Sequence, residues 1–238
     1  MKLLVSVVDA GEAREAAMAG ADIVDVKNPA EGSLGAPSPA VIAGVRAAVP
    51  AELPVSAAIG DMPNLPGTAA LAALGAARSG ATFVKVGLWG ASTEADAVEL
   101  LRAVVDGVPG AVVVAAAYAD ARRVPHAPLS PELLPRVALA AGAVVCLLDT
   151  AVKDGRGLLE WLSPDALASL VAEAHAAGLQ MALAGALRAE DLPIVRDTEA
   201  DIVGVRSAAC RDGRRSGRLD VERVRALRRY ATAGVSVS

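Results

Sequence analysis

Asp25 and Lys27 stand at alternate positions of a short apolar run, 22–29, which stops at Pro29. Alternate residues of a strand point to the same face, so the two charges share one side of a strand that is otherwise apolar. Such a pair is costly to bury unless it pairs or acts. A second run of the same kind, 82–87, carries Lys85. The chain has 23 basic residues, of which 19 are arginine and only Lys2, Lys27, Lys85 and Lys153 are lysine. With its excess of Ala, Arg and Gly, the chain uses arginine wherever charge alone is needed. A lysine differs from arginine in one chemical respect: when desolvated it becomes a neutral amine that attacks carbonyls. Lys27 and Lys85 are therefore the first candidates for chemistry, and Lys2 at the chain start is read as structural.

The elements that must position these residues alternate strictly. Apolar runs at 2–8, 21–27, 53–59, 82–86, 110–116, 143–148, 180–184 and 200–205 read as strands buried on both faces. Helical segments follow at 12–20, 40–48, 68–79, 93–105, 131–141, 164–177, 189–195 and 220–231. Ser163-Pro164 is a strong start signal, a capping serine before proline at the first helical position. Eight strand–helix units in 238 residues predict a single α/β domain, a closed (β/α)₈ TIM barrel spanning 1–231, with 232–238 as a frayed tail. An open doubly wound sheet is the alternative, but no Gly-x-Gly-x-x-Gly follows the first strand. The loop 28–39, rich in Pro, Gly and Ser, is long for a strand-to-helix link and has the length of a functional lid.

Barrel enzymes place their sites at the C-terminal ends of the strands. Asp25 and Lys27, Asp61, Lys85, Tyr118 and Asp120, and Asp149 and Lys153 all fall at such ends. The second, fourth and sixth strands alternate around the barrel, so Lys27 and Lys85 are expected to converge on one pocket. Converging cations and loss of water both lower a lysine pKa. Asp25 is expected to pair with a lysine or move protons. The loops after strands seven and eight, with Gly185, Gly204, Arg206 and Ser207, are the expected phosphate site, where Arg206 either adds charge or pairs structurally.

A net charge of −4 gives no reason to expect a nucleic acid or an anionic membrane as partner. The arginines 211, 214, 215 and 218 read as a solvated loop, because no aromatic residues interleave with them. Cys146 and Cys210 make no disulfide framework, and no apolar run reaches the length of a membrane span, so a cytoplasmic protein is expected. His126 and His175 are isolated, no metal-ligand spacing is present, and neither metal nor cofactor is expected. An alanine-rich surface is the one argument for a homo-oligomer.

The blocks 25–29 with 31–36, 56–61, 85–88, 148–155, 182–185, 201–206 and 208–210 form an ordered set. Together they resemble the (5-formylfuran-3-yl)methyl phosphate synthase family, also called 4-(hydroxymethyl)-2-furancarboxaldehyde-phosphate synthase, of methanofuran biosynthesis. The resemblance implies a (β/α)₈ carbon–oxygen lyase. It would condense two glyceraldehyde 3-phosphate molecules into a furan aldehyde phosphate, losing phosphate and water. It assigns the Schiff base to Lys27, proton transfer to Lys85, and further active-site positions to Asp25, Asp149 and Lys153. Ala186 stands where relatives carry serine, and Ser207 where they carry glycine, both in the expected phosphate loops. The rival readings are another Schiff-base aldolase, a triose-phosphate isomerase-like barrel, and a phosphate-ligand sensor without catalysis.

Overall fold

A buried parallel strand pairs with the next one only if the chain crosses back over a helix, and this chain does so all the way round. The computed structural model describes residues 1–125 and 128–232. Its strands are β1 (Lys2–Val7), β2 (Ile23–Val26), β3 (Val55–Asp61), β4 (Phe83–Gly87), β5 (Val112–Tyr118), β6 (Val145–Asp149), β7 (Gln180–Leu183) and β8 (Ile202–Val205). They close in sequence order, with β8 pairing back onto β1 through Lys2↔Ile202 to Val5↔Val205. The helices α1 (Ala10–Met18), α2 (Pro39–Ala48), α3 (Pro66–Arg78), α4 (Glu94–Gly107), α5 (Leu134–Ala141), α6 (Pro164–Ala176), α7 (Leu192–Asp197) and α8 (Val221–Thr232) alternate with them. The expected (β/α)₈ barrel is the fold found.

Local differences from the sequence reading have physical causes. Asp9, read as the end of the first strand, is the N-cap of α1 and accepts from the Glu12 N–H at 2.8 Å, so the helix begins at Ala10. β5 runs two residues later than its apolar pattern suggests, because register with its neighbours governs: Phe83 pairs with Val112, and Tyr118 with Asp149. Thr232, read as the start of the tail, closes α8 and donates its hydroxyl to the Arg228 carbonyl. Residues 233–238 and His126 lie outside the described residues.

The period of two divides each strand between two cores. Val5, Val7, Val24, Val26, Val84, Val86, Cys146, Leu148, Val203 and Val205 pack against the helices. Ile23, Ala58, Val114, Ala116, Leu147, Ala182 and Ile202 fill the barrel interior. Fully burying each Val or Leu stabilises the fold by roughly 1.5–3 kcal/mol. The interior layer is made of small side chains toward β7 and β8, where Ala182, Ala184 and Gly204 leave open space. Long charged side chains from β2, β4 and β6 reach into that space.

The loop after β2 is packed in place. The Asp61 carboxylate at the end of β3 accepts from the N–H of Ser33 at 2.8 Å and from that of Leu34 at 3.3 Å. The Tyr118 hydroxyl donates to the same carboxylate at 2.5 Å, and the Ser33 hydroxyl donates to the Thr150 carbonyl at 2.7 Å. Gly32 sits at φ +129°, and a Cβ there would lie 2.2 Å from Asp61 Oδ2, so only glycine fits. No helix among the described residues is long and apolar enough to cross a membrane.

Candidate active site at the barrel mouth

A cavity of about 640 Å³ opens at the C-terminal end of the barrel. Asp25, Lys27, Lys85, Asp149 and Lys153 line one side of it, and Gly185, Gly204, Arg206 and Ser207 the other. The structure thus brings to one cavity these nine expected site residues, but not Asp61, Tyr118 and Asp120, the other polar residues that the sequence places at strand ends.

Two ion pairs frame the charged side. Lys85 Nζ lies 2.6 Å from Asp25 Oδ1, and Lys153 Nζ donates to Asp149 Oδ1 at 2.7 Å. Asp25 thus pairs with Lys85 on β4 and not with Lys27, its companion on the same strand face. The Ser6 hydroxyl, on β1 directly beside Asp25 in register, donates to Asp25 Oδ2 at 2.8 Å. Each oxygen of this fully buried carboxylate thus has one close donor, the Lys85 ammonium on Oδ1 and the Ser6 hydroxyl on Oδ2, and keeps a further lone pair. Lys153 also donates to the Thr150 hydroxyl at 3.2 Å.

Lys27 is buried between these pairs, and among the described residues no carboxylate lies within ion-pair distance of its amine. Burial lowers its pKa to about 8; Asp149 and Asp25 oppose the shift, while Lys153 and Lys85 add to it. Formal charge leads to the same residue. The cluster has three amines and two carboxylates, and it balances only when one amine is neutral. Asp149 is held below the usual carboxylate range, because the Lys153 and Lys27 amines and the Thr150 N–H outweigh its burial. An ionised carboxylate therefore stays beside a lysine that sheds its proton near pH 8, well below the ordinary lysine range.

Two of the polar residues at strand ends turn out to hold loops. Asp61 anchors the loop after β2, as described above. Asp120 accepts from the N–H groups of Ala151 and Val152 at 2.6 and 2.9 Å, which sets the turn that carries Lys153. Tyr118 serves the same scaffold through Asp61, and its pKa is raised by burial and by that carboxylate.

On the other side, Gly185 takes φ +111° and packs against Thr150, and Ser207 opens a short 3₁₀ turn, Ser207–Ala209. Arg206 borders the cavity, but its donors are all engaged. Nη1 donates to Glu12 Oε2 at 2.5 Å and to the Ser6 carbonyl at 3.0 Å. Nη2 donates to Glu12 Oε1 at 3.4 Å and to the Gly217 carbonyl at 2.7 Å. Nε donates to the Arg215 carbonyl at 2.9 Å. The phosphate contact open to Arg206 has no free N–H to make it, and the side chain instead ties β1, α1 and the loop before α8 together.

Sequence reasoning missed two residues here. Ser6 left a faint signal, a hydroxyl at an inward position of an apolar strand. Arg215, read as part of a solvated loop, is half-buried over the mouth, and its Nη2 donates to the Gly32 carbonyl at 2.7 Å. Only the folded loop reveals it. Cys146 is core, with burial raising its thiol to about 12. His175 pairs with Asp201 at 2.9 Å on the surface. Among the described residues no group of three His, Cys, Asp or Glu side chains is placed to hold a metal ion.

A closed parallel barrel with this cavity at its C-terminal mouth defines a class: a (β/α)₈ barrel enzyme. Solved barrels share the fold at low identity, among them 3-hexulose-6-phosphate synthase from Salmonella typhimurium, with TM-score 0.67 and 16% identity over 97% of this chain and 98% of that one. The particular family is shown by sequence. Residues 3–228 match the family described as 4-HFC-P synthase. The chain is 50% identical to the (5-formylfuran-3-yl)methyl phosphate synthase of Methanocaldococcus jannaschii over 96% of its own length and 98% of the relative's. It is 51% identical to the enzyme of that name from Methanopyrus kandleri, over 90% and 92%. The chain belongs to the (5-formylfuran-3-yl)methyl phosphate synthase family and is an enzyme of it.

Proposed function

We propose that this enzyme joins two molecules of glyceraldehyde 3-phosphate into (5-formylfuran-3-yl)methyl phosphate through a Schiff base on Lys27. The observation that carries the reading is Lys27 itself, an amine titrating near 8 between two ion pairs and open to a cavity. The free amine attacks the aldehyde carbon, and loss of water leaves an iminium. The iminium draws electrons from the neighbouring carbon and acidifies its C–H. Asp25 and Lys85, 2.6 Å apart, act as one proton-transfer unit there, with the Asp25 carboxylate accepting the proton. The enamine that results expels its β-phosphate or attacks the second aldehyde. Lys153, whose amine is paired to Asp149, protonates the departing oxygen in this scheme. Ring closure and dehydration then give an aromatic furan, whose stability makes the sequence downhill. Backbone N–H groups of the Gly185 and Gly204–Ser207 loops hold a phosphate.

Mass spectrometry of the product from glyceraldehyde 3-phosphate as sole substrate tests the reaction, with a furan aldehyde monophosphate expected. An aldol adduct or dihydroxyacetone phosphate alone would instead select the aldolase or isomerase reading. Borohydride added during turnover traps an adduct on Lys27, and Lys27→Arg abolishes both adduct and product. Turnover surviving that substitution, or no adduct in the active enzyme, refutes the Schiff base.

A further inference from the structure

Five arginines border the cavity, and two of them are held by partners within the protein. Arg206 has every N–H engaged within the protein. Arg214 pairs with Asp212 at 2.8 Å on the surface. Arg188 and Arg223 are exposed at the rim. Arg215 is different. It is half-buried, and among the described residues no carboxylate lies within ion-pair distance of it.

Its placement is enforced at both ends. Arg206 Nε holds the Arg215 carbonyl, and Arg206 Nη2 holds that of Gly217, which sets the loop. The guanidinium then reaches across the mouth to the Gly32 carbonyl at 2.7 Å. Gly32 is itself held in place, because the N–H groups of the next two residues, Ser33 and Leu34, donate to Asp61. The link thus joins the loop after β8 to the loop after β2, over the charged side of the cavity. Only Nη2 makes a hydrogen bond, so the rest of the planar fork meets no protein acceptor among the described residues. Withdrawing an unpaired cation from water is unfavourable, and burial here does more to its charge than the Asp149 and Asp61 carboxylates restore. A rigid guanidinium with free donors over a cavity matches the oxygens of a phosphate monoester.

We propose that Arg215 recognises the phosphate of the second triose, while the loops after β7 and β8 hold that of the first. The inference rests on the reading that two phosphorylated aldehydes occupy the cavity together. A second phosphate calls for a cationic donor that is not already paired, as Lys153 is to Asp149.

Two measurements test it. In Arg215→Gln, the half-saturating concentration of glyceraldehyde 3-phosphate should rise about 10- to 100-fold, as expected for losing a charged hydrogen bond. In Arg215→Lys the rise should be smaller. Titration with sn-glycerol 3-phosphate, an inert probe, should show two binding steps in the unaltered protein and one in Arg215→Gln. An unchanged half-saturation with both steps kept overturns the proposal. So does an equal loss in both variants with a lowered melting temperature, which marks Arg215 as a strut to Gly32. The titration reads Arg215 whether or not a furan forms, while product analysis of the unaltered enzyme tests the reaction, so the two failures are distinguishable.

Discussion

Two buried ion systems share the C-terminal end of this barrel, and they are built on opposite plans. In the first, Glu12 and Arg206 satisfy one another completely. Arg206 donates through all five N–H groups, and Glu12 also accepts from the N–H of Val8 at 3.1 Å and of Leu219 at 3.1 Å. In the second, five charged side chains leave Lys27 without a carboxylate partner and Asp25 with a further lone pair. Ser6 touches both, its carbonyl accepting from Arg206 and its hydroxyl donating to Asp25. A saturated pair has nothing left to offer a substrate and serves to hold the chain. A cluster one partner short keeps an amine and a lone pair ready for one.

The sharpest way to break this contrast is to unbalance the saturated pair. Glu12→Ala leaves Arg206 buried and unpaired, which should cost about 3–5 kcal/mol of stability. Chemical denaturation reads the loss; a change below about 1 kcal/mol would mean that the pair does not hold the fold. Next, Asp25→Asn keeps the shape but removes the base from the unsaturated cluster. Its turnover per folded molecule should fall about 10²- to 10⁴-fold, and the buried Lys85 it leaves unpaired should lower stability as well. Turnover within threefold would remove Asp25 from the proton path.

The smallest expected effect is a gain in stability. Lys27 titrates near 8 in the folded chain, well below an unfolded lysine at 10.5. Below pH 8 both states carry the proton and the fold bears the full cost of burying it. Between about 8 and 10.5 the folded state has released its proton while the unfolded state keeps it, so stability rises with pH. Lys27→Met should therefore stabilise the protein at pH 7 by about 1–3 kcal/mol and flatten that rise. Denaturation curves across this pH range measure it. A destabilised Lys27→Met would show that Lys27 helps hold the cluster together.

Much of this was legible in the chain. The alternation of apolar runs with helical segments and the capping signals led to eight strand–helix units, and the barrel rule then located the site. Strand periodicity put Asp25 and Lys27 on one face, and the scarcity of lysine drew attention to Lys27, Lys85 and Lys153. The limits of strands were less legible. β5 shifted by two residues because parallel pairing to β4 and β6, rather than its own hydrophobicity, decides where it ends.

Partners were not legible. Periodicity says which face a side chain is on, but which side chain it meets depends on register, barrel closure and loop path. Asp25 therefore met Lys85 from another strand, and Lys27 was left alone beside it. Arg206, which the sequence left between adding charge at the phosphate loops and pairing structurally, pairs with Glu12, 194 residues away in sequence. Arg215 looked like one of several surface arginines until the loop folded it over the mouth. By itself the sequence determined the barrel, the end that carries the site and the amines retained there, because those follow from local pattern and composition. The tertiary structure alone decided which charges are paired and which are left open, because pairing is a long-range contact that no local pattern records.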